Sequence, residues 1–299
     1  MSIKHTRTRV VCTAMLAVAL TALAFAGSAS AKLTGAFTVF GQCPTANPET
    51  NRCIHAVTEG GVVILGKKKV PIVNPAVLQG GYTASVEGFS KMIAAKNGIT
   101  LSKAPQPVPG GLAGLVNCKE ISNFLLRVSC EVTFENGLTG VNSTLELARP
   151  VNEVLISELH LAEEEEVALR LPVKVHLENP FLGSSCYVGS SSSPLIWELT
   201  TGTTSPPAPN TPITGSGGAI EFLEEGRVLK TSEAELVDNA WSAPGANGCG
   251  GFLVELLLNP IINASVGVPS AKGKNTAILV NTITVATAKA VRTNDENNP

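Results

Sequence analysis

The side chains that could carry out acid–base or nucleophilic chemistry are few in this chain. Beyond residue 31 there are three histidines, His55, His160 and His176, and two aspartates, Asp238 and Asp295. A Ser-His-Asp hydrolase needs an imidazole base oriented by a carboxylate, and no Gly-x-Ser-x-Gly nucleophile motif occurs. We therefore expect no catalytic residue and no cofactor. The alternative is a hydrolase that combines glutamates and histidines from distant strands.

Metal binding is not predicted by the remaining ligand types. The cysteines lack the Cys-x-x-Cys spacing of zinc sites. His160 and His176 fall on the outward face of predicted strands, far apart, and we interpret both as solvent-facing. The four consecutive glutamates at 163–166 point in different directions, so they do not form the oxygen cage that calcium requires. We interpret them as a solvated loop.

One aromatic residue is a candidate for ligand contact. Trp241 follows Asp238-Asn239-Ala240 and precedes Pro244-Gly245, which predicts a half-exposed ring at a strand end. A tryptophan in such a place can also cap the core, with its indole N–H bonded, and that alternative stays open. Trp197 lies in an apolar segment and is assigned to the core. Residues 67–69, three lysines, predict a turn, with weak attraction to anionic surfaces as the alternative.

The first 31 residues have the pattern of a secretory signal peptide. Three cations precede an apolar segment at residues 10–25, and Ala29-Ser30-Ala31 matches the small-residue cleavage site. We expect a mature chain that begins at Lys32, is secreted or held in the cell envelope, and has no transmembrane helix. This mature chain has 19 Lys and Arg against 24 Asp and Glu, a net charge of −5. Such a surface gives nucleic acid no basic footprint.

Cysteine usage is typical of an oxidising compartment. Outside the predicted signal peptide there are six cysteines, an even number, and six allow 15 pairings that sequence alone does not resolve. Our hypothesis pairs each cysteine with its neighbour in the sequence. Proline and asparagine between the first two favour a loop that turns back on itself. The hypothetical bonds are Cys43–Cys53, Cys118–Cys130 and Cys186–Cys249.

Two stretches alternate apolar and polar residues with the period of half-buried strands. Residues 126–135 and 138–147 flank Asn136-Gly137 and predict a type I′ hairpin, with Arg127 opposite Glu146. Residues 155–161 and 167–178 predict a second hairpin through a loop at 162–166, with Glu158 opposite Arg170. Pro172 cannot donate to a ladder, so its strand is expected at a sheet edge or at a bulge.

Weaker patterns complete the prediction of elements. Proline makes residues 200–218 a long exposed loop. Helix is predicted only for Val86 to Lys96 and for Phe252 to Leu258, the latter stopped by Asn259-Pro260. Further strands are predicted at residues 35–41, 54–65, 194–200, 219–230 and 275–291.

Together these patterns predict a mainly β protein. We expect an antiparallel β-sandwich-like body built from hairpins, with one or two short helices, over residues 32–292. A possible N-terminal lobe covers residues 32–104, and residues 293–299 form a disordered tail. No repeat of 20 to 50 residues indicates a propeller or a solenoid.

Segments of the second half resemble uncharacterised secreted proteins of actinobacteria. The segments are residues 179–187, 237–239, 244–246 and 247–251, which include Cys186 and Cys249. The resemblance implies export and supports a bond between these two cysteines. It implies no activity.

The function predicted from sequence is a secreted or cell-envelope β protein of unknown biochemical role, non-enzymatic, that acts by binding or as a structural element. Candidate partners are a component of the cell envelope or a small apolar ligand carried in a β-rich cavity. Two alternatives remain at this point, the secreted hydrolase and a membrane-associated oligomeric β-barrel.

Overall fold

A single antiparallel sheet of fourteen strands organises the described residues, which are 32–112, 122–125, 127–128 and 140–298 of this computed structural model. The predicted mainly β, antiparallel fold is confirmed. The α-helices whose bounds lie wholly within the described residues are α1 (Glu158–Glu163), α2 (Gly251–Val266) and α3 (Ala288–Asn297). The strands are β1 (Arg52–Leu65), β2 (Lys68–Pro71), β3 (Ala76–Tyr82), β4 (Ser90–Ile93), β5 (Gln106–Pro107), β6 (Asn142–Leu147), β7 (Leu155–Ile156), β8 (Leu169–Glu178), β9 (Tyr187–Val188), β10 (Leu195–Leu199), β11 (Ala219–Leu223), β12 (Val228–Asp238), β13 (Ala246–Asn247) and β14 (Thr276–Thr287).

The sheet curls so that its two halves face each other. The strand order is β11-β12-β14-β1-β3-β4-β7-β8-β6-β5, with β10 paired to β8 and β2 paired to β1. A bridge between Thr200, just after β10, and Val237 of β12 connects the two halves again. The inward side chains of both halves form one apolar core that includes Leu78, Leu171 and Leu236. Strands β1 to β4, which lie within the possible lobe at 32–104, belong to this same sheet.

The first predicted hairpin is found only in part. Residues 126 and 129–139 lie outside the described residues, whereas β6 covers 142–147 as a strand. Arg127 and Val128 are helical, with the Arg127 N–H donating to the Asn123 carbonyl, which contradicts the predicted strand there. Strand β6 pairs with β8, and Glu146 contacts Lys174 instead of Arg127.

The second predicted hairpin is wrong in its first strand. Only Leu155 and Ile156 pair with β8, and the next residues form helix α1. Ser157 explains the difference, because its hydroxyl accepts the backbone N–H of His160 and so caps the helix, an effect that outweighs the alternating pattern. Leu155, and not Glu158, consequently lies opposite Arg170.

Pro172 does not lie at a sheet edge, and the expectation that it would is also wrong. Strand β8 has partners on both sides, and its register with β10 runs through Pro172 without a bulge. On the other side the neighbour changes from β6 to β7 at this point, where the Pro172 carbonyl accepts the Ala148 N–H. The missing proline N–H therefore faces a gap between two strands, where no ladder bond is required.

The predicted strand at 35–41 is a 3₁₀ helix, Gly35–Phe40. Phe37 and Phe40 are three residues apart, so this helix places both rings on one side, where they are buried with the Cys43–Cys53 disulfide. The predicted helix at 86–96 is instead strand β4, whose alternating burial of Ser90 and Met92 lets it pair with both β3 and β7.

Three predicted element boundaries are also corrected. Residues 219–230 form β11 and the start of β12, separated by a 3₁₀ turn at Glu224–Gly226. The strand predicted at 275–291 ends at Thr287, whose hydroxyl accepts the Ala290 N–H and caps α3. Helix α3 includes most of the tail predicted to be disordered, and the Asn294 amide oxygen accepts the Thr34 N–H.

Helix α2 is longer than predicted. The sequence predicts that the helix ends at Asn259-Pro260, but the helix continues through Pro260 to Val266. It ends at Gly267, which is in the left-handed conformation with φ of +78°. Ile262 and Val266 are buried in the core, and this packing holds the last turns of the helix. Among the described residues, no helix has the length and apolar character needed to cross a membrane.

Candidate functional site

An apolar cavity lies between the two facing halves of the sheet. Its volume is about 140 Å³. One wall comes from β1, β2, β3 and β14, and the other from β5, β6, β8 and β10. Most lining side chains are aliphatic, and they include Ala56, Leu78, Leu171, Leu236 and Ile283. A cavity of this size and character resembles engineered cavities of about 150 Å³ that stay dry and bind benzene.

Strand alternation explains how β1 places its residues on the cavity. Ile54, Ala56 and Thr58 point inward and line the cavity. Val57, which lies between Ala56 and Thr58, points to the outer face. A bulge after Thr58 shifts the register with β14, and the inward face resumes with Val63. Lining residues therefore occur along most of the strand, which makes the cavity long.

The polar side chains at the cavity wall bond to protein groups. The Thr58 hydroxyl donates to the Asn281 side-chain oxygen at 2.7 Å, and the Asn281 amide donates to the Leu279 carbonyl at 2.8 Å. The Ser102 hydroxyl accepts the Val77 N–H at 2.8 Å. Because these groups are already bonded, the cavity offers mainly apolar surface to a ligand.

The side chains of Tyr82 and Glu158 form a polar end of the cavity. The Tyr82 hydroxyl donates to the Glu158 carboxylate, which also pairs with Arg52 at 3.2 Å from the Arg52 Nε atom. Burial, followed by the negative charge of Glu158, raises the pKa of Tyr82 well above its ordinary value. Glu158 and Arg52 are partly exposed, so this end lies near the surface.

The opposite end of the cavity contains Lys68 and Val266. Lys68 begins β2, and its half-buried side chain belongs to the lining together with the last residue of helix α2. Burial, followed by repulsion from Lys67, lowers the pKa of Lys68. A cation thus lies at one end of the cavity and a carboxylate–phenol pair at the other.

Trp241 does not have the exposure that the sequence predicted. It is 3% exposed, its Nε1–H donates to the Asp238 carbonyl at 3.3 Å, and its ring lies 5.8 Å from that of Trp197. The expectation of a half-exposed ring is wrong, and the core-capping alternative describes it. Trp197 is buried as expected and lines the cavity.

Asp238 lies in a polar cleft of about 450 Å³ beside Trp241. Its two carboxylate oxygens accept the backbone N–H groups of Glu198 and Ala240, at 2.7 and 2.9 Å. Burial raises the pKa of Asp238 despite these bonds. Since both oxygens hold the local backbone, we interpret Asp238 as a structural residue.

The histidines are not solvent-facing strand residues as predicted. His160 lies on α1, its Nδ1 atom is 2.9 Å from the Val167 carbonyl oxygen, and its side chain is only 14% exposed. His176 lies on β8, stacks on Tyr187 at 4.3 Å, and is 15% exposed. Helix α1 and the packing of β9 on β8 produce this burial, which the alternating pattern alone did not predict.

Carboxylates lie next to two of these rings. His176 pairs with Glu178 at 3.2 Å, and His160 lies 3.5 Å from Glu166. Burial lowers the pKa of His55 on β1. In the described ranges no Ser, Thr or Cys side chain is hydrogen-bonded to any of the three imidazoles. The same residues contain no group of three or more potential metal-ligating side chains.

Two of the three hypothetical disulfides are present. Cys43–Cys53 joins the N-terminal 3₁₀ segment to the start of β1, and Cys186–Cys249 joins the segment before β9 to the start of α2. The pairing Cys118–Cys130 lies outside the described residues. Two disulfides are compatible with an extracellular protein.

Sequence reasoning missed the residues that form the cavity and its ends. Ala56, Tyr82 and Glu158 were not predicted as site residues, because the cavity depends on strands that are far apart in the chain. The alternation around Ile54 and Ala56 was the available signal, and it indicated an inward face but not an empty space behind it.

Comparison with known proteins gave no relatives. No family model matches the chain, and neither the curated proteins nor the solved structures contain a match. The resemblance to secreted actinobacterial proteins therefore stays a prediction, and the function has to be argued from the site.

Proposed function

We propose that this protein is an exported, non-enzymatic carrier that binds a slender apolar ligand in its internal cavity. The observation that carries the proposal is the apolar cavity of about 140 Å³ at the centre of the sheet. Well-packed interiors leave few voids larger than a water molecule. An empty apolar volume of this size is costly to stability, so its presence favours a binding role.

The composition of the lining determines the class of ligand. Aliphatic side chains dominate the wall, and polar groups such as Ser102 and Asn281 are bonded to the protein. A polar ligand would lose its hydration without gaining partners, whereas a hydrocarbon would gain apolar contact. The ligand is therefore apolar over most of its length.

The shape of the cavity further restricts the class of ligand that fits it. Lining residues on β1 extend from Ile54 to Leu65, a path of roughly 36 Å at the usual rise of a strand. A volume of about 140 Å³ spread along such a path is a narrow channel. This shape suits an extended alkyl chain better than a fused-ring compound.

A further observation supports export. The two disulfides suit an oxidising compartment, and the predicted signal peptide would direct the chain there. The biological ligand is thus expected to be a lipid-like molecule of the cell envelope or the medium.

The test is binding of cis-parinaric acid, a fluorescent polyene fatty acid, to the disulfide-bonded protein. We expect saturable fluorescence enhancement that an uncharged long-chain alcohol reverses by competition. The variant Ala56→Phe puts a benzene-sized ring into the cavity and should weaken probe binding by at least about tenfold. The matched control is Val57→Phe, which places the same ring on the outer face of β1.

Each outcome of the binding experiment either supports or overturns the carrier proposal. Loss of binding in Ala56→Phe with normal binding in Val57→Phe supports the proposal. Equal binding by both variants and the parent protein would show that the probe binds elsewhere and would overturn it. Native mass spectrometry of the exported protein adds a direct measure, because a carrier should retain a ligand mass that Ala56→Phe does not.

A further inference from the structure

Helix α2 exposes apolar side chains on the side where a surface helix is normally polar. Leu256 is 87% exposed, Leu257 52% and Val254 41%. Pro260 and Ala264, also exposed, lie on the same side of the helix at 100° per residue. The opposite side packs on the core through Ile262 and Val266. Both sides of α2 are therefore apolar, whereas the usual surface helix is polar on its outer side.

The single charged residue of α2 does not interrupt this apolar face. Glu255 is half-buried, and its carboxylate accepts the Gly248 N–H at 3.1 Å and the Asn259 side-chain amide at 3.2 Å. It therefore belongs to the side that packs on the protein. The exposed positions along the helix, as far as their side chains are described, present hydrocarbon without charge.

Lysines surround the C-terminal end of the same helix. The Lys67 N–H donates to the Val266 carbonyl at 2.7 Å, and the Lys67 ammonium donates to the Ala264 carbonyl at 3.1 Å. Lys69, two residues further along, is exposed. Lys274 is also exposed and precedes Asn275, whose side-chain oxygen accepts the Gly66 N–H. We call Lys67, Lys68, Lys69 and Lys274 the lysine cluster.

One end of the cavity lies under the C-terminal end of α2. Lys68 of the lysine cluster and the buried side chain of Val266 are both part of the cavity lining. This end of the apolar channel is therefore next to the lysine cluster.

We propose that the exposed face of α2 and the lysine cluster dock onto an anionic lipid bilayer. The apolar face would enter the boundary between headgroups and acyl chains, and the lysines would contact the anionic headgroups. Charge complementarity favours this occupant over a second copy of the chain, because a copy offers the lysine cluster no matching acidic surface on its own α2. If the carrier proposal also holds, docking sets one end of the cavity beside the lipid phase from which an apolar ligand would come.

The experiment is co-sedimentation with vesicles of phosphatidylcholine, alone or mixed with phosphatidylglycerol. We expect binding to the mixed vesicles that weakens as salt is raised. The double variant Leu256→Glu with Leu257→Glu should lose at least about tenfold in binding, because both side chains are already exposed and their change affects the lipid contact more than the fold. The matched control introduces the same substitutions at Ile220 and Phe222 of β11, which are 54% and 68% exposed.

A second pair of variants tests the contribution of charge. Lys67→Gln with Lys69→Gln should weaken binding to the mixed vesicles by about 30-fold, since each lysine near an anionic surface contributes roughly fivefold. Its control, Lys91→Gln with Lys96→Gln, removes two exposed lysines elsewhere and should leave binding within about twofold.

Three results would overturn the proposal. One is equal binding to neutral and mixed vesicles, and another is equal loss in the β11 control and the α2 variant. The third is a dimer in solution that the α2 variant converts to a monomer without any vesicle binding by the parent protein, which would assign the face to a second copy. Binding of cis-parinaric acid in the α2 variant is measured in parallel. In the parent protein, probe binding without vesicle binding shows that the docking proposal fails, and vesicle binding without probe binding shows that the carrier proposal fails.

Discussion

Partial filling of the cavity by Ala56→Ile should stabilise the protein. Ala56 lies in the middle of β1, between Leu78 of β3 and Ile283 of β14, and its methyl group borders the cavity. The change adds three carbons, which at about 0.8 kcal/mol each contribute about 2 kcal/mol when they enter apolar space. The cavity volume of about 140 Å³ sets an upper limit of about 3 kcal/mol at ~24 cal/mol per Å³. Isoleucine also suits a strand.

The measurements are urea unfolding and thermal unfolding of protein freed of bound ligand on a hydrophobic resin. At about 2 to 4 °C for each kcal/mol, the thermal midpoint should rise by about 4 to 8 °C. The matched control Val57→Ile adds one methylene on the outer face and should change the unfolding free energy by less than about 0.5 kcal/mol. A destabilisation of about 1 kcal/mol or more in Ala56→Ile would indicate an already filled core and would refute the reasoning.

Two further predictions concern the disulfides and the polar end of the cavity. Replacing Cys186 and Cys249 with serine should lower the free energy of unfolding by about 4 kcal/mol, and replacing Cys43 and Cys53 should lower it by about 3 kcal/mol. The first bond contributes more because it closes a loop of 63 residues, whereas the second closes one of 10. A loss from the Cys186–Cys249 replacement that is equal to or smaller than the other loss, measured by urea unfolding, contradicts this order. The raised pKa of Tyr82 means that the folded protein holds the phenol proton after the unfolded chain has released it, so stability should fall as pH rises above about 10. Tyr82→Phe should remove that part of the slope, and an unchanged slope between pH 9 and 11 would contradict the assignment.

Several elements could be predicted because their signals are local. Alternation of apolar and polar residues identified the greater part of β6 and β8, since a half-buried strand needs only its own period to be recognised. The Pro and Asn residues between Cys43 and Cys53 indicated a loop that turns back, and that disulfide is present.

Other local signals were outweighed by a single side chain or by packing. Ser157 caps α1 and ends a pattern that reads as a strand, and Thr287 does the same at the start of α3. Burial of Ile262 holds α2 together beyond Pro260, where the sequence predicts a stop. In each case the free energies of the two competing local structures differ by about 1 to 3 kcal/mol. Sequence patterns do not resolve a difference of this size.

The sequence by itself determined a β-rich chain with an inward and an outward face on each strand and with cysteines suited to an oxidising compartment. Only the tertiary structure decided that the inward faces meet around an unfilled volume, and that α2 turns its leucines outward beside Lys67. The reason is physical. A cavity is the space left between side chains such as Ala56 and Leu171, which come together only when strands distant in the chain pair and the sheet curls.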